Sequence, residues 1–454
     1  RAAPCTVDSG ALYKSHNEWR GSLARQYKQR PSRRAARWSV VRTPVALHFA
    51  AMRISPRKRD RCRWAPWLCA WAAVAGAVSA NAQDFPACID ALASQAEAAG
   101  VGERGLSALR RVERLPRVIE LDRRQPEFQQ TFSAYLTSRV SATRVATGRL
   151  MLASYRPLLE RLTREYGVPG RYLVAFWGLE TNYGGYLGRM PTLDSLATLA
   201  CDQRRRDFFT AELLTALKVL ERERLDPETF RGSWAGAVGH TQFMPSTYAN
   251  HAVDGDGDGR IDLWNSVDDA LTSAADYLQG LGWQRGQRWG REVRLPDDFE
   301  YLRTGLEQRR PLADWRAMGV TTASGEPLPA GDFEAAVIVP MGHRGPAFLV
   351  YPNFEVILEW NRSQSYALSV GYLADRIAGG GGLVAELPDV EKRLAKAQVR
   401  RLQERLADLG FDPGEPDGLI GPATRGALRA WQSLNGKVAD GYPDEATLRE
   451  LGVQ

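Results

Sequence analysis

Histidine and cysteine are scarce in this chain, with five of each among 454 residues. Beyond residue 82 only His240, His251 and His343 remain, with Cys88 and Cys201. These histidines show no ligand spacing, which disfavours zinc chemistry. Long apolar runs are missing too, and residues 64–78 fall short of a comfortable membrane span. Past residue 82 there is also no excess of positive charge. Residues 1–82 hold 16 Lys+Arg against three acids (Asp8, Glu18 and Asp60), out of 60 basic and 53 acidic residues overall. That leaves 44 basic against 50 acidic residues, a net of −6. A nucleic-acid footprint needs a basic folded domain, so no nucleic-acid partner is expected.

The basic N-terminal part reads as an export signal. Met52 opens a positively charged stretch, residues 64–78 are apolar, and Ala80-Asn81-Ala82 is a small-x-small cleavage site. Residues 52–82 are therefore expected to be a signal peptide, giving a soluble periplasmic protein. Residues 1–51 are Arg-rich without periodicity and are read as a disordered, non-native upstream extension. In an oxidising compartment Cys88 and Cys201 suit either a disulfide or two separately buried thiols.

The chemistry is placed at Trp177-Gly178-Leu179-Glu180-Thr181-Asn182-Tyr183-Gly184-Gly185. A helix entered through Pro169-Gly170 puts Leu173, Phe176, Trp177 and Glu180 on one face, with the Gly pair as its stop. One carboxylate then sits on an apolar stripe, in the last turn, where the helix dipole is negative. Both surroundings disfavour its ionised form, as a general acid requires. The alternative is a core-edge Glu satisfied by a neighbouring Arg.

Further along, Arg204-Arg205-Arg206 reads as a solvated helix start or as a positive wall for an anionic substrate. Residues 232–245 are rich in glycine, which lets backbone approach another surface closely. Ser233 and Gln242 punctuate that stretch as sugar-bonding side chains, whereas His240 reads as structural. Asp254, Asp256, Asp258 and Asp262 stand at positions 1, 3, 5 and 9 of an EF-hand-like loop, with Arg260 at position 7. Asn265 replaces the bidentate Glu at position 12, and Asp268 or Asp269 could complete the shell. A structural calcium or similar cation, or a metal-free Asp-Gly turn, fits this pattern.

From residue 85 to 214 the periodicity is helical. Residues 334–339 and 347–351 read as strands, residues 365–377 as a helix, and residues 379–382 as the start of a linker. Val399, Leu402, Leu406 and Leu409, then Ala427, Leu428 and Trp431, give amphipathic faces of a small three-helix unit, the third helix starting near Pro443-Asp444.

Together these blocks resemble the lytic murein transglycosylase B family, glycoside hydrolase family 103. The resemblance rests on the Glu180 stretch, residues 233–246, the Asp254 loop and Trp360-Asn361-Arg362-Ser363-Gln364-Ser365-Tyr366, over roughly residues 84–380. The tail resembles the three-helix peptidoglycan-binding domain family through Leu402-Gln403, Asp417-Gly418, Gly421-Pro422-Ala423-Thr424 and Trp431-Gln432. The implied fold is mainly α (α+β): a lysozyme-like catalytic domain at 83–380 with a small strand-containing insertion, a linker at 381–394, and a three-helix module at 395–454.

The resemblance implies a lyase that cuts the β-1,4 bond between N-acetylmuramic acid and N-acetylglucosamine. Glu180 would be its single acid/base, and the product a 1,6-anhydro sugar. It maps substrate contacts onto Tyr135, Arg204, Arg205, Ser233, Gln242, Asn361 and Tyr366. It also implies calcium at Asp254, Asp256 and Asp258, closed by Asp269. Trp360 stands where some members have Tyr. No catalytic cofactor is expected, the partners being glycan strands and other cell-wall enzymes, and the state a monomer. The competing readings are a hydrolytic muramidase and a non-catalytic wall-binding protein.

Overall fold

The computed structural model describes residues 85–124, 130–388 and 393–453. The expected signal peptide and upstream extension lie outside them. The chain begins with α1 (Phe85–Ala98), α2 (Glu103–Leu109), α3 (Pro116–Arg124), α4 (Phe132–Arg139), α5 (Ala142–Ser154), α6 (Arg156–Tyr166) and α7 (Gly170–Thr181). A two-residue strand β1 (Met190–Pro191), then α8 (Thr192–Ala200), α9 (Arg206–Arg222), β2 (Arg231–Gly232), α10 (Pro245–His251) and α11 (Val267–Gly280) follow. Then come β3 (Gly290–Arg294), β4 (Arg310–Pro311), α12 (Leu312–Ala317), β5 (Thr321–Thr322), β6 (Glu334–Ile338), β7 (Ala347–Val350), α13 (Pro352–Trp360) and α14 (Gln364–Ile377). The tail holds α15 (Lys396–Asp408), α16 (Pro422–Leu434) and α17 (Glu445–Glu450). The mainly helical expectation holds.

Helix α7 is the axis of the larger unit. It packs against α5, α6, α11 and α14, and every residue from Tyr172 to Thr181 is buried. The expected buried helix is found, and it is covered on every face rather than only along the stripe that carries Glu180. Burying Phe176 and Trp177 alone contributes roughly 1.5–3 kcal/mol each. The helix also stops earlier than the Gly pair. Asn182 caps it in the left-handed region at φ 52°, and Tyr183 stays there at φ 60°. Asn takes that conformation readily and Tyr does not. Tyr183 is held there by its amide donating to Trp177 O at 3.3 Å and its hydroxyl donating to Arg144 O at 2.8 Å.

Five antiparallel strands form one sheet in the order β4-β6-β7-β3-β5, with Val337 opposite Leu349 and Ile338 opposite Phe348. The sheet separates two cores. Ala335, Val337, Ala347 and Leu349 face a small core with Trp315 and Phe299. Ala336, Ile338, Phe348 and Val350 face the helical core. A strand covered on both faces needs no polar alternation, so β6 and β7 read as continuous apolar runs.

The tail module has its own core of Leu402, Leu406, Ala427, Leu428, Trp431, Leu448 and Leu451. Leu409, expected on that face, is 42% exposed. The segment after the glycines is anchored rather than loose. Leu383 N donates to the Tyr372 hydroxyl at 3.2 Å, and Val384 N and Ala385 N donate to the Glu292 carboxylate at 2.8 and 2.7 Å.

Candidate active site

Three separate blocks meet at the C-terminal end of α7. Glu180 is 7% exposed. Its Oε1 accepts a hydrogen bond from Trp360 Nε1 at 2.7 Å and another from the Tyr366 hydroxyl at 2.7 Å. The carboxyl group is therefore held by neutral donors from the α13–α14 corner. Burial and the Glu180 charge push the Tyr366 hydroxyl well above its ordinary range, so it stays a donor. Trp360 is itself fixed by stacked rings, with Phe176 at 4.4 Å, Tyr277 at 5.2 Å and Phe243 at 5.6 Å between centroids.

The second block is the loop after β2. Thr181 Oγ1 donates to His240 O at 2.8 Å, and Trp177 Nε1 donates to His240 Nδ1 at 3.0 Å. His240 is buried, and burial lowers its pKa. It is a neutral brace between α7 and the loop, as its sequence setting suggested. Gly184 has φ +81°, and a Cβ there would lie 2.4 Å from the His240 ring. Only glycine fits that turn.

Ser233 and Gln242 belong to the same loop. Ser233 Oγ accepts from Ala237 N at 3.0 Å, which leaves its hydroxyl hydrogen to donate outward. Gln242 has φ 49° and spends both amide hydrogens on Leu187 O at 3.2 Å and Gly239 O at 3.0 Å. Its Oε1 is buried and takes no hydrogen bond among the described residues. Asn361 caps α13, with its Oδ1 accepting from Ser363 N at 3.2 Å. Tyr135 lies buried on α4, which packs against α14, and its field reaches the Tyr366 hydroxyl.

Arg204 and Arg205 converge instead on Asp122 of α3, which is 3% exposed. Arg204 Nη1 also donates to Asp122 O at 2.6 Å, and the Arg205 guanidinium stacks on the Phe209 ring at 4.9 Å. Arg204 and Arg205 are thus tied to a buried acid, while Arg204 also stays exposed to solvent. Cys88 and Cys201 form a disulfide with a Cα–Cα distance of 6.0 Å.

In the acidic loop the carboxylates of Asp254, Asp256 and Asp269 lie within 4.8 Å of one another. Asp269 is 1% exposed, and its two oxygens accept from Gly255 N at 2.8 Å and Asp262 N at 2.7 Å. The Asp258 carboxylate turns to Arg260 N at 2.8 Å and stands outside that trio. Two hard oxygen donors on a tight loop and a third from the start of α11 fit a calcium-like cation, with Asp269 as the buried closing ligand.

Sequence reading missed Trp360 as a donor to Glu180, although the residue lay inside a quoted block. It also missed Asp122 and Thr181. An indole N–H beside a lone buried acid was a usable signal for Trp360; the other two carried none.

Comparison with known proteins identifies the family. The transglycosylase SLT domain model matches residues 84–375, and the putative peptidoglycan binding domain model matches residues 395–451. Membrane-bound lytic murein transglycosylase B of Escherichia coli (strain K12) is 34% identical over 247 residues, 54% of this chain. The chain spans 66% of that relative's length. SltB3 of Pseudomonas aeruginosa, solved in complex with NAG-NAM-pentapeptide, superposes with a TM-score of 0.79 at 45% identity. That match covers 82% of this chain and all of SltB3. Escherichia coli Slt35, solved in complex with calcium, gives a TM-score of 0.57 at 29% identity, over 65% of this chain and 94% of Slt35. The chain belongs to the transglycosylase SLT domain family and ends in a peptidoglycan-binding domain.

Proposed function

We infer that the chain is a periplasmic lytic transglycosylase that cuts the β-1,4 bond between N-acetylmuramic acid and N-acetylglucosamine in peptidoglycan. The observation that carries this is Glu180, a buried carboxyl group held by neutral donors at the meeting point of three blocks. In this reading Glu180 protonates the glycosidic oxygen as the bond breaks. The resulting carboxylate then takes the proton of the muramoyl 6-hydroxyl, which attacks C1 and closes a 1,6-anhydro ring. The nucleophile belongs to the substrate, so the second carboxylate of ordinary glycosidases is unnecessary. A SltB3 structure holds NAG-anhNAM-pentapeptide, a product of that kind.

The Ser233 hydroxyl, Gln242 Oε1 and Asn361 amide are suited to bond sugar hydroxyl and acetamido groups. Tyr135, Arg204 and Arg205 complete the proposed substrate contacts, whereas the fully buried Tyr366 would act on substrate only through Glu180. The tail module would hold the enzyme to the wall. Asp254, Asp256 and Asp269 would hold a calcium ion that cross-links the loop, as a structural element outside the reaction. No helix among the described residues is long and apolar enough to cross a membrane.

Mass spectrometry of digested sacculi tests the reaction. Anhydro ends are expected, and purely reducing ends would establish water as the nucleophile instead. Glu180→Gln should abolish turnover while pull-down on sacculi persists. Full activity in that variant would overturn the assignment of the acid.

A further inference from the structure

Two hydrogen bonds to Glu180 fall on one atom. Trp360 Nε1 and the Tyr366 hydroxyl both donate to Oε1, at 2.7 Å each. A carboxyl oxygen offers two lone-pair sites, and these donors fill both. They also come from one corner of the fold. Trp360 is the last residue of α13, and Tyr366 lies in the first turn of α14, where Ser363 caps the helix by accepting from Tyr366 N at 3.3 Å. Neither donor has room to swing away, because Trp360 is 1% and Tyr366 0% exposed.

We propose that Trp360 and Tyr366 are positioning residues that fix the Glu180 proton on Oε2 and so decide which carboxyl oxygen acts as acid and base. The inference rests on the reading of Glu180 as the catalytic acid. A proton on Oε1 would turn Tyr366 from donor into acceptor and leave its hydroxyl hydrogen without its only bond among the described residues. It would also weaken the oxygen that accepts the indole N–H, and indole has no lone pair with which to respond. With the proton on Oε2, both bonds survive both protonation states. The carboxyl group then does not have to turn over between protonating the glycosidic oxygen and receiving the 6-hydroxyl proton. The donors also steady the carboxylate left after the first transfer.

Each donor favours the ionised form, so removing one raises the pH at which Glu180 gives up its proton. The alkaline limb of kcat/KM, which reports loss of the acid form in the free enzyme, should move upward by about one pH unit in Tyr366→Phe and in Trp360→Phe. In both, kcat should fall by about tenfold, with little change in KM, because positioning acts on the transition state. A merely structural role would lower the melting temperature and leave the limb in place. Tyr366→Phe removes one oxygen and keeps the packed ring, so it decides the matter even where Trp360→Phe folds poorly.

Limbs that superimpose on the parent enzyme in folded variants would overturn the proposal. The acid reading fails by a different result: Glu180→Gln with retained turnover. An inactive Glu180→Gln together with unmoved limbs overturns only the role given to the two donors.

Discussion

Thr181, the residue after Glu180, donates its hydroxyl to the carbonyl of His240 at 2.8 Å. The same histidine accepts the Trp177 indole at Nδ1 and donates its own amide to Leu263 O at 2.8 Å. One buried residue, through its ring and its backbone, therefore ties α7 to the glycine-rich loop and that loop to the acidic one. Trp177 can only donate, so Nδ1 must be unprotonated and the ring neutral in the native state.

A pH effect on stability follows. Burial lowers the His240 pKa below its unfolded value of about 6.5. Between the folded and unfolded values the native state binds fewer protons, so stability rises with pH across that window. The His240 contribution is whole above about pH 6.5 and lost as pH falls through the folded value. His240→Asn keeps an acceptor for Trp177 and cannot titrate. Its melting temperature should decline less steeply than the parent's from pH 7 to pH 5, and equal slopes would refute the assignment. His240→Leu should cost about 1–3 kcal/mol at neutral pH by leaving a buried indole N–H unanswered.

The disulfide closes a separation of 113 residues and pins α1 to the end of α8. Disulfides typically stabilise by about 2–4 kcal/mol, and chain entropy alone puts a loop of this size at about 4.7 kcal/mol. Reductant should lower the melting temperature of the parent enzyme and leave that of the Cys88→Ala/Cys201→Ala variant unchanged. A parent enzyme insensitive to full reduction would show that the bond adds nothing to stability.

Much of this was legible in the sequence, for definite reasons. The family resemblance, the mainly helical architecture and the tail module were carried by short motifs whose residues act locally. Asp254 and Asp256 sit on one tight loop, and Asp269 lies one helical turn into α11, so spacing alone brought them together. The Asp122 clamp was not legible, because it joins Arg204 and Arg205 across more than eighty residues of chain. The burial of α7 was legible in its apolar run from Tyr172 to Trp177, whereas its coverage on every face, Glu180 included, comes from the helices packed around it. The left-handed Tyr183 breaks a local preference that only its contacts to Arg144 and Trp177 explain.

Calcium should stabilise the protein without taking part in turnover chemistry. A ligand that binds only the native state raises stability by RT ln(1 + [L]/Kd), about 2.7 kcal/mol at a hundredfold excess over Kd. Titration with calcium should raise the melting temperature until saturation, and a chelator should reverse it. Asp256→Asn should weaken the response while leaving the metal-free melting temperature close to that of the parent, since Asp256 is exposed. Asp269→Asn should lower the metal-free value as well, because its carboxylate ties Gly255 and Asp262 together. A melting temperature indifferent to calcium would remove the metal from the account.

The tail module is seated on the strand-bearing part of the larger unit by polar contacts, and these should govern whether the two melt together. Asp440 is 4% exposed, and its Oδ2 accepts from His343 N at 2.9 Å and from His343 Nδ1 at 2.6 Å. Arg429 bonds Glu307, Arg425 donates to Pro340 O at 3.3 Å, and Arg344 donates to Asp444 at 2.9 Å. Gly342 permits this approach, since a Cβ there would meet Asp440 Oδ2 at 2.6 Å and Tyr442 at 2.8 Å. Asp440 and Arg429 are buried while their partners His343 and Glu307 reach solvent, so each contact is worth less than the ~3–5 kcal/mol of a fully buried pair and more than an exposed one. Asp440→Ala/Arg429→Ala should therefore split one calorimetric transition into two and speed proteolysis near the linker, with turnover of soluble fragments retained. Gly342→Val should act in the same direction, by steric wedging and by backbone strain at φ +71°. A single transition persisting in both variants would mean that the anchored segment at Glu292, rather than the module face, holds the units together.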